Sequence, residues 1–222
     1  KTKKELSMFL ISRGIWLVIV ELVIITLGWT FNPLFNLLIL QVIWAIGISM
    51  ILMGLLVQLP FNIIFALGII IVFGHNLFDQ MEAVPGLKGS VLADLLYFSN
   101  FSMYPLFENH YLIIVYSFLP WMGVMLLGYC FGKLYEPDTD VKWRRKKLLQ
   151  LGIGILLIFF ILRFINLYGD PIPWSEQPRG TIYTFLSFFN VNKYPPSLLF
   201  LSMTIGTGII FLALIEKVQN RF

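Results

Sequence analysis

Charge is scarce in this chain, and so are cysteine and histidine. Lys, Arg, Asp and Glu make up 13% of the 222 residues, against about a quarter in an ordinary soluble domain. That deficit excludes a water-facing surface over most of the length. Cys130 is the single cysteine, which excludes an intrachain disulfide and a thiolate-built metal site. It sits in an apolar run, as an inert buried thiol would. Metal-binding His clusters, phosphate-cradling glycine loops and Ser-His-Asp signatures are also lacking. So is the alternating pattern of a membrane barrel, and no signal peptide is visible. The polar lead KTKKELS and the charged exit IEKVQNRF lead us to expect a piece of a longer protein.

What is abundant is apolar. Hydrophobic residues reach 58% and the mean hydropathy is +0.83. Apolar runs near the length of a membrane crossing recur along the chain. Lipid offers the backbone no hydrogen bonds, so the crossing elements are expected to be helices. The expected fold class is therefore all-α, a polytopic bundle of about six spans forming a single transmembrane domain over 1–222. The expected spans are Ser7 to Thr30, Leu34 to Val57, Pro60 to Phe78, Tyr111 to Lys133, Leu148 to Tyr168 and Pro196 to Leu214. Gly47 and Ser49 suit close helix packing, as does the G-x-x-x-G at Gly128 and Gly132. Pro120 is expected to kink the fourth span.

Lys and Arg placement gives an orientation. The Lys1–Lys4 lead and the cluster Lys142, Arg144, Arg145, Lys146 and Lys147 are separated by four expected spans, so they share a side, the cytoplasmic one. The turn at 58–60 and the tail with Lys217 and Arg221 fall there too. The acidic stretch from Asp79 to His110 carries Glu82, Asp94 and Glu108 against Lys88 alone. It falls outside, with the 169–195 loop. The aromatic part from Val91 to Phe107 suits an interfacial helix or a cap over a cavity. The net charge of +4 follows from this topology and is no nucleic-acid signal.

Polar residues inside or beside these spans are the candidates for function. Glu21 lies well within the first span, where an unpartnered ion costs about 2.5–3.5 kcal/mol or more. Two readings stand: a site carboxylate facing a cavity, or a structural hydrogen bond inside the bundle. The third span ends on Gly74, His75, Asn76 and Asp79. His75 and Asp79 are four apart and share a helical face. That spacing suits an Asp-oriented imidazole working as acid or base, and equally a helix-end cluster near the headgroups. Trp29, Asn32, Asn76, Arg163, Asn166, Asp170, Lys193 and Tyr194 all fall on the external half. A polar, aromatic-rich face of this kind suits a polar ligand such as a sugar; loops are also polar for ordinary reasons.

Six stretches carry a resemblance: RGIWLVIVE at 13–21, LQVIWAIG at 40–47, GHNLFD at 74–79, PWMGVMLLGY at 120–129, NLYGDPIPW at 166–174 and NVNKYPPSL at 190–198. In this order and over nearly the whole chain, they resemble bacterial integral membrane proteins related to the catalytic domain of heparan-alpha-glucosaminide N-acetyltransferase. The resemblance implies transmembrane acyl transfer, from cytoplasmic acetyl-CoA to an amino sugar or glycan on the other side, in the bacterial inner membrane and without a metal. A histidine would act as base on the acceptor or carry the acyl group. The family's catalytic histidine lies upstream of anything in this chain, so the resemblance does not assign that role to His75. It also implies that the family's first spans and a terminal span lie outside the sequence. Membrane lipids and a homodimeric or larger assembly are the expected partners, with no nucleic acid. Two other readings remain: a transporter or lipid-handling protein using Glu21 and Arg163, and a non-catalytic membrane subunit. No inverted repeat is evident between the halves.

Overall fold

The computed structural model describes residues 2–81 and 89–216. Lys1, Glu82, Lys88, Lys217 and Arg221, which entered the charge argument, lie outside the described residues. The chain divides into two compact units, Lys1–Cys130 and Phe131–Phe222. It is mostly helical, with a small sheet added to the expected all-α bundle.

In the first unit α1 runs over Lys3–Thr30. Thr2 caps it, with Glu5 completing the capping box, so its first orphan N–H groups are bonded. The helix widens into a π turn at Glu21–Ile25. It ends where Phe31 turns left-handed. Strand β1 (Leu37–Leu40) follows, then α2 (Val42–Leu56) and α3 (Phe61–Met81), whose last turns tighten to 3-10 geometry from His75. A short helical segment at 91–98 precedes β2 (Met103–Phe107), β3 (His110–Ile114) and α4 (Leu119–Phe131). The sheet order is β1-β3-β2, with β1 parallel and β2 antiparallel to β3.

Two expected spans thus differ in form. The runs Leu34 to Val57 and Tyr111 to Lys133 each begin as a strand and only then become a helix. A short apolar run has no periodicity to separate a buried strand from a helix; here Leu37–Leu40 and His110–Ile114 find each other across the fold. Gln41, in extended geometry, makes the break between β1 and α2. Pro120 does not kink a long helix. It sits in the first turn of α4, where its missing N–H is no loss. The aromatic stretch expected as an interfacial helix divides into the 91–98 segment and β2. Pro105 is accommodated because β2 pairs on one side only.

Among the described residues, four helices are long and apolar enough to cross a membrane: α1, α3, and in the second unit α5 (Val141–Ile165) and α7 (Leu198–Ile215). The chain is an integral membrane protein. Between α5 and α7 lie a polar loop and the short helix α6 (Thr181–Phe189). In the first unit, Lys3 Nζ donates to Gln58 O and Leu59 O at 3.3 and 3.0 Å, so the start of α1 and the α2–α3 turn share an end. The opposite end joins the α1–β1 turn to the β2–β3 turn through Asn36 Nδ2 to Asn109 O at 2.9 Å.

Glycines set the closest helix contacts, though not the pair in the G-x-x-x-G. A Cβ on Gly128 or Gly132 would meet nothing within 4 Å. A Cβ on Gly14 would lie 2.6 Å from Gly47 O and 2.7 Å from Ile51 Cγ1, and one on Gly152 2.7 Å from Ile210 Cγ1. These positions let α1 pack on α2 and α5 on α7 backbone to backbone. Ser7 Oγ adds a 2.6 Å bond to Gly54 O on the same α1–α2 seam. Gly14→Val is expected to destabilise the protein by about 1–3 kcal/mol through overpacking, read as a lower thermal midpoint in detergent. Gly28→Ala, in open space, is the neutral control; equal effects from both would refute the seam.

Candidate functional site

The π turn of α1 brings Glu21 to the place where β1 hands over to α2. Its side chain is fully buried. Oε1 accepts from the Gln41 N–H at 3.2 Å and Oε2 from the Trp44 N–H at 2.9 Å. Gln41 is the N-cap of α2 and makes no side-chain capping bond. The carboxylate on α1 therefore does for α2 what a capping side chain does elsewhere, with its charge at the positive end of the helix dipole. Thr26 extends the same seam: its hydroxyl donates to Glu21 O at 3.0 Å and accepts from the Ile39 N–H at 3.4 Å. This is the hydrogen-bonded alternative of the two readings of Glu21, with backbone amides as the partners.

The end of α3 forms a second polar centre. His75 is buried, and its Nδ1 lies 3.0 Å from Ile71 O one turn back. A carbonyl only accepts, so Nδ1 carries the proton and Nε2 the lone pair in the neutral ring. Asp79 accepts from Asn76 Nδ2 at 2.7 Å through Oδ2 and from the Tyr97 hydroxyl at 2.6 Å through Oδ1. The Tyr97 ring is buried against Phe78 and lies 5.9 Å from the His75 ring. His75, Asn76 and Asp79 lie together at one helix end, but the 3-10 turn from His75 replaces the α-helical face that the four-residue spacing implied, and Nδ1 of His75 is held by Ile71 O. Tyr97, which sequence reasoning did not single out, ties them together. Eighteen residues separate Tyr97 from Asp79, so local spacing carries no trace of the pair; the aromatic density of 91–107 was the only signal.

One turn before Tyr97, Asp94 makes a parallel arrangement. It is fully buried, accepting from the Tyr104 hydroxyl at 2.8 Å and Asn100 Nδ2 at 3.1 Å. Burial first, then the hydrogen bond and charge of Asp94, push the Tyr104 phenol up to about 12. Asn32 folds the α1–β1 turn: its Oδ1 accepts from the Leu34 N–H at 2.9 Å and its Nδ2 donates to Asn36 Oδ1 at 3.0 Å. Trp29 is largely exposed nearby in sequence.

In the second unit Arg163 is buried near the end of α5. Its Nε donates to Phe188 O at 2.8 Å and its Nη1 to Ile172 O at 3.0 Å. Its Nη2 donates to Ser187 O and Asn190 O at 3.0 and 2.8 Å. Three of these four carbonyls belong to the C-terminal end of α6, where a cation and donors are both wanted. Asp170 lies 4.0 Å from Nη1. It accepts from the Ile172 and Asn192 N–H groups at 3.0 and 2.8 Å and from Ser197 Oγ at 2.7 Å. Asn166 exchanges two bonds with the Trp174 backbone, and the Trp174 indole donates to Arg163 O at 2.8 Å. Arg163, Asn166 and Asp170 are brought together, and each holds the 166–197 loop in shape. Lys193 and Tyr194 are exposed on that loop, the ammonium 5.1 Å from the Tyr194 ring centre. Among the described residues, no group of three His, Cys, Asp or Glu side chains is disposed to hold a metal ion.

A polytopic helical membrane protein with buried carboxylates and a polar cluster at one helix end is the class these features define. The model of the family described as heparan-alpha-glucosaminide N-acetyltransferase, catalytic, matches residues 2–163, and the chain belongs to that family. The match contains Glu21 and the His75–Asp79 cluster and ends at Arg163, ahead of the loop motifs at 166–174 and 190–198. No curated protein and no solved structure matches the chain.

The Tyr104 pair gives a pH signature. A phenol raised from its ordinary value of 10.0 to about 12 favours the folded state by about 2–3 kcal/mol. That stability is fully present below pH 10 and is lost as pH rises through 12. Tyr104→Phe is expected to flatten the alkaline limb of the stability profile between those values; an unchanged limb would show that Tyr104 ionises freely.

Proposed function

We propose that the protein is a membrane-bound acyltransferase that moves an acetyl or other acyl group from cytoplasmic acyl-CoA to an amino sugar or glycan outside a bacterial inner membrane. The observation that carries this reading is the family match over residues 2–163. Within it, the chain crosses six times with both ends inside. Helix α2 has 15 residues and rises about 22 Å, short of a hydrocarbon core of about 30 Å. Strands β1 and β3 lie at the outer ends of α2 and α4 and carry the chain from those helices to the headgroups. The sheet then lies at headgroup depth, where open strand edges reach water.

The polar cluster of His75, Asn76, Asp79 and Tyr97 supports an acceptor site on the outer side. In the proposed reaction the acceptor amine or hydroxyl attacks the thioester carbonyl carbon, forming the new C–N or C–O bond. The C–S bond breaks, CoA leaves as thiolate, and the acceptor proton passes through a base to the departing sulfur. His75, with Nδ1 held by Ile71 O, and Asp79, bonded to Asn76 and Tyr97, set the hydrogen-bonding frame of the acceptor site. Trp29, Asn32, Lys193 and Tyr194 are the candidates for sugar contacts. Glu21, Arg163, Asn166 and Asp170 act in this scheme by holding backbone in position.

The test is CoA release by the full chain in liposomes, given acetyl-CoA and glucosamine-type acceptors. Release that depends on acceptor, with kcat/KM falling about tenfold or more in His75→Ala and Asp79→Asn at unchanged thermal midpoint, is the expected result. No release with any of several acyl donors would overturn the reading in favour of a transporter.

A further inference from the structure

The first two turns of α5 carry five basic residues within 142–147, and the fold uses them in two different ways. Arg144 and Arg145 turn inward within their own unit. Arg144 Nε meets Glu216 Oε1 at 2.9 Å and its guanidinium stands 4.7 Å from the Tyr135 ring centre. Arg145 Nε donates to Ala213 O at 3.1 Å, near the end of α7. Lys142, Lys146 and Lys147 are exposed. Successive helical residues advance by about 100°. Lys142, Lys146, Trp143 and Lys147 therefore fall, in that angular order, on one face of about 140°, while both arginines lie off it.

That face continues down the helix. Ile153, Leu157, Phe160, Ile161 and Phe164 recur on it, and all are exposed, Leu157 by 54% and Phe164 by 69%. The apolar body of α5 begins at Leu148, so the three ammonium groups stand where a headgroup would lie, directly above a stripe open to acyl chains. Trp143 is 48% exposed and Lys147 Nζ lies 5.7 Å from its ring centre, an interfacial anchor with a cation beside it. Two carboxylates of this end are engaged elsewhere: Asp140 caps the helix through the Trp143 N–H at 2.8 Å, and Glu216 pairs with Arg144.

We propose that this face of α5 is a binding site for an anionic phospholipid. The phosphate is taken by Lys142, Lys146 and Lys147, the glycerol region lies beside Trp143, and an acyl chain runs along the Leu157–Phe164 stripe. The site is independent of the acyl-transfer reading.

The experiment places the full chain in nanodiscs of equimolar phosphatidylglycerol and phosphatidylcholine and measures the lipid retained on release by native mass spectrometry. The wild-type protein should retain phosphatidylglycerol in preference by about tenfold or more, since each lysine near an anionic surface contributes roughly fivefold. K142Q/K146Q/K147Q should lose the preference, and R179Q, at another position, should keep it. Equal retention of both lipids by the wild type, or an unchanged preference in the triple variant, would overturn the proposal. So would displacement of retained phosphatidylglycerol by CoA, which would assign the lysines to a soluble phosphate ligand.

Discussion

Backbone groups at helix ends must be bonded from within the chain when water is absent, and the rest of this structure depends on how that demand is met. Two buried ionisable side chains meet it. Glu21 offers two acceptor oxygens to the N–H groups that open α2. Arg163 offers donors to four carbonyls, three of them closing α6. Each ion sits at the helix-dipole end of opposite sign, so charge and hydrogen bonding act together. Removing either would leave several backbone groups unbonded at once, at about 1–3 kcal/mol for each one left buried.

The scarcity of cations shapes the first unit further. Between Arg13 and Lys133 the sequence holds one Lys or Arg, Lys88. Among the described hydrogen bonds, the carboxylates of that region accept from neutral donors: backbone amides for Glu21, a phenol and an amide for Asp79, and the same pair of groups for Asp94. A phenol beside a carboxylate in an apolar setting is held protonated, as at Tyr104. The polar cluster at the end of α3 thus combines a carboxylate, an amide, a phenol and an imidazole, with no lysine or arginine among its described hydrogen bonds. Such a cluster presents donors and acceptors together, which is what hydroxyl-rich and amine-bearing acceptors require.

Much of this was legible in the sequence, because lipid enforces long apolar helices and leaves few alternatives. The spans that became α1, α3, α5 and α7 follow from hydropathy alone, and so does the polar end of α3. The sheet was not legible: Leu37–Leu40 and His110–Ile114 pair over more than 70 residues of chain, and each is too short to show a period of its own. Glu21 and Arg163 stood out as intramembrane ions, but their partners are main-chain groups, which are the same for every residue type and leave no mark on composition. Tyr97 and Tyr104 escaped notice because an aromatic in an aromatic-rich stretch gives no sign that its hydroxyl has a carboxylate to bind. The packing glycines were partly legible. Gly47 works as expected, whereas Gly128 and Gly132 have the motif without a partner helix against them.

The central claim is that ions within the apolar helices hold the polar segments in place, and Arg163 tests it most directly. Hydrogen exchange of the full chain in detergent, comparing wild type with Arg163→Gln, would follow the amides of 169–197, including Ile172 and Asn192, which bond to Asp170. The account predicts that this loop and the end of α6 lose protection while the interiors of α5 and α7 keep theirs. Unchanged protection across 169–197 would contradict it.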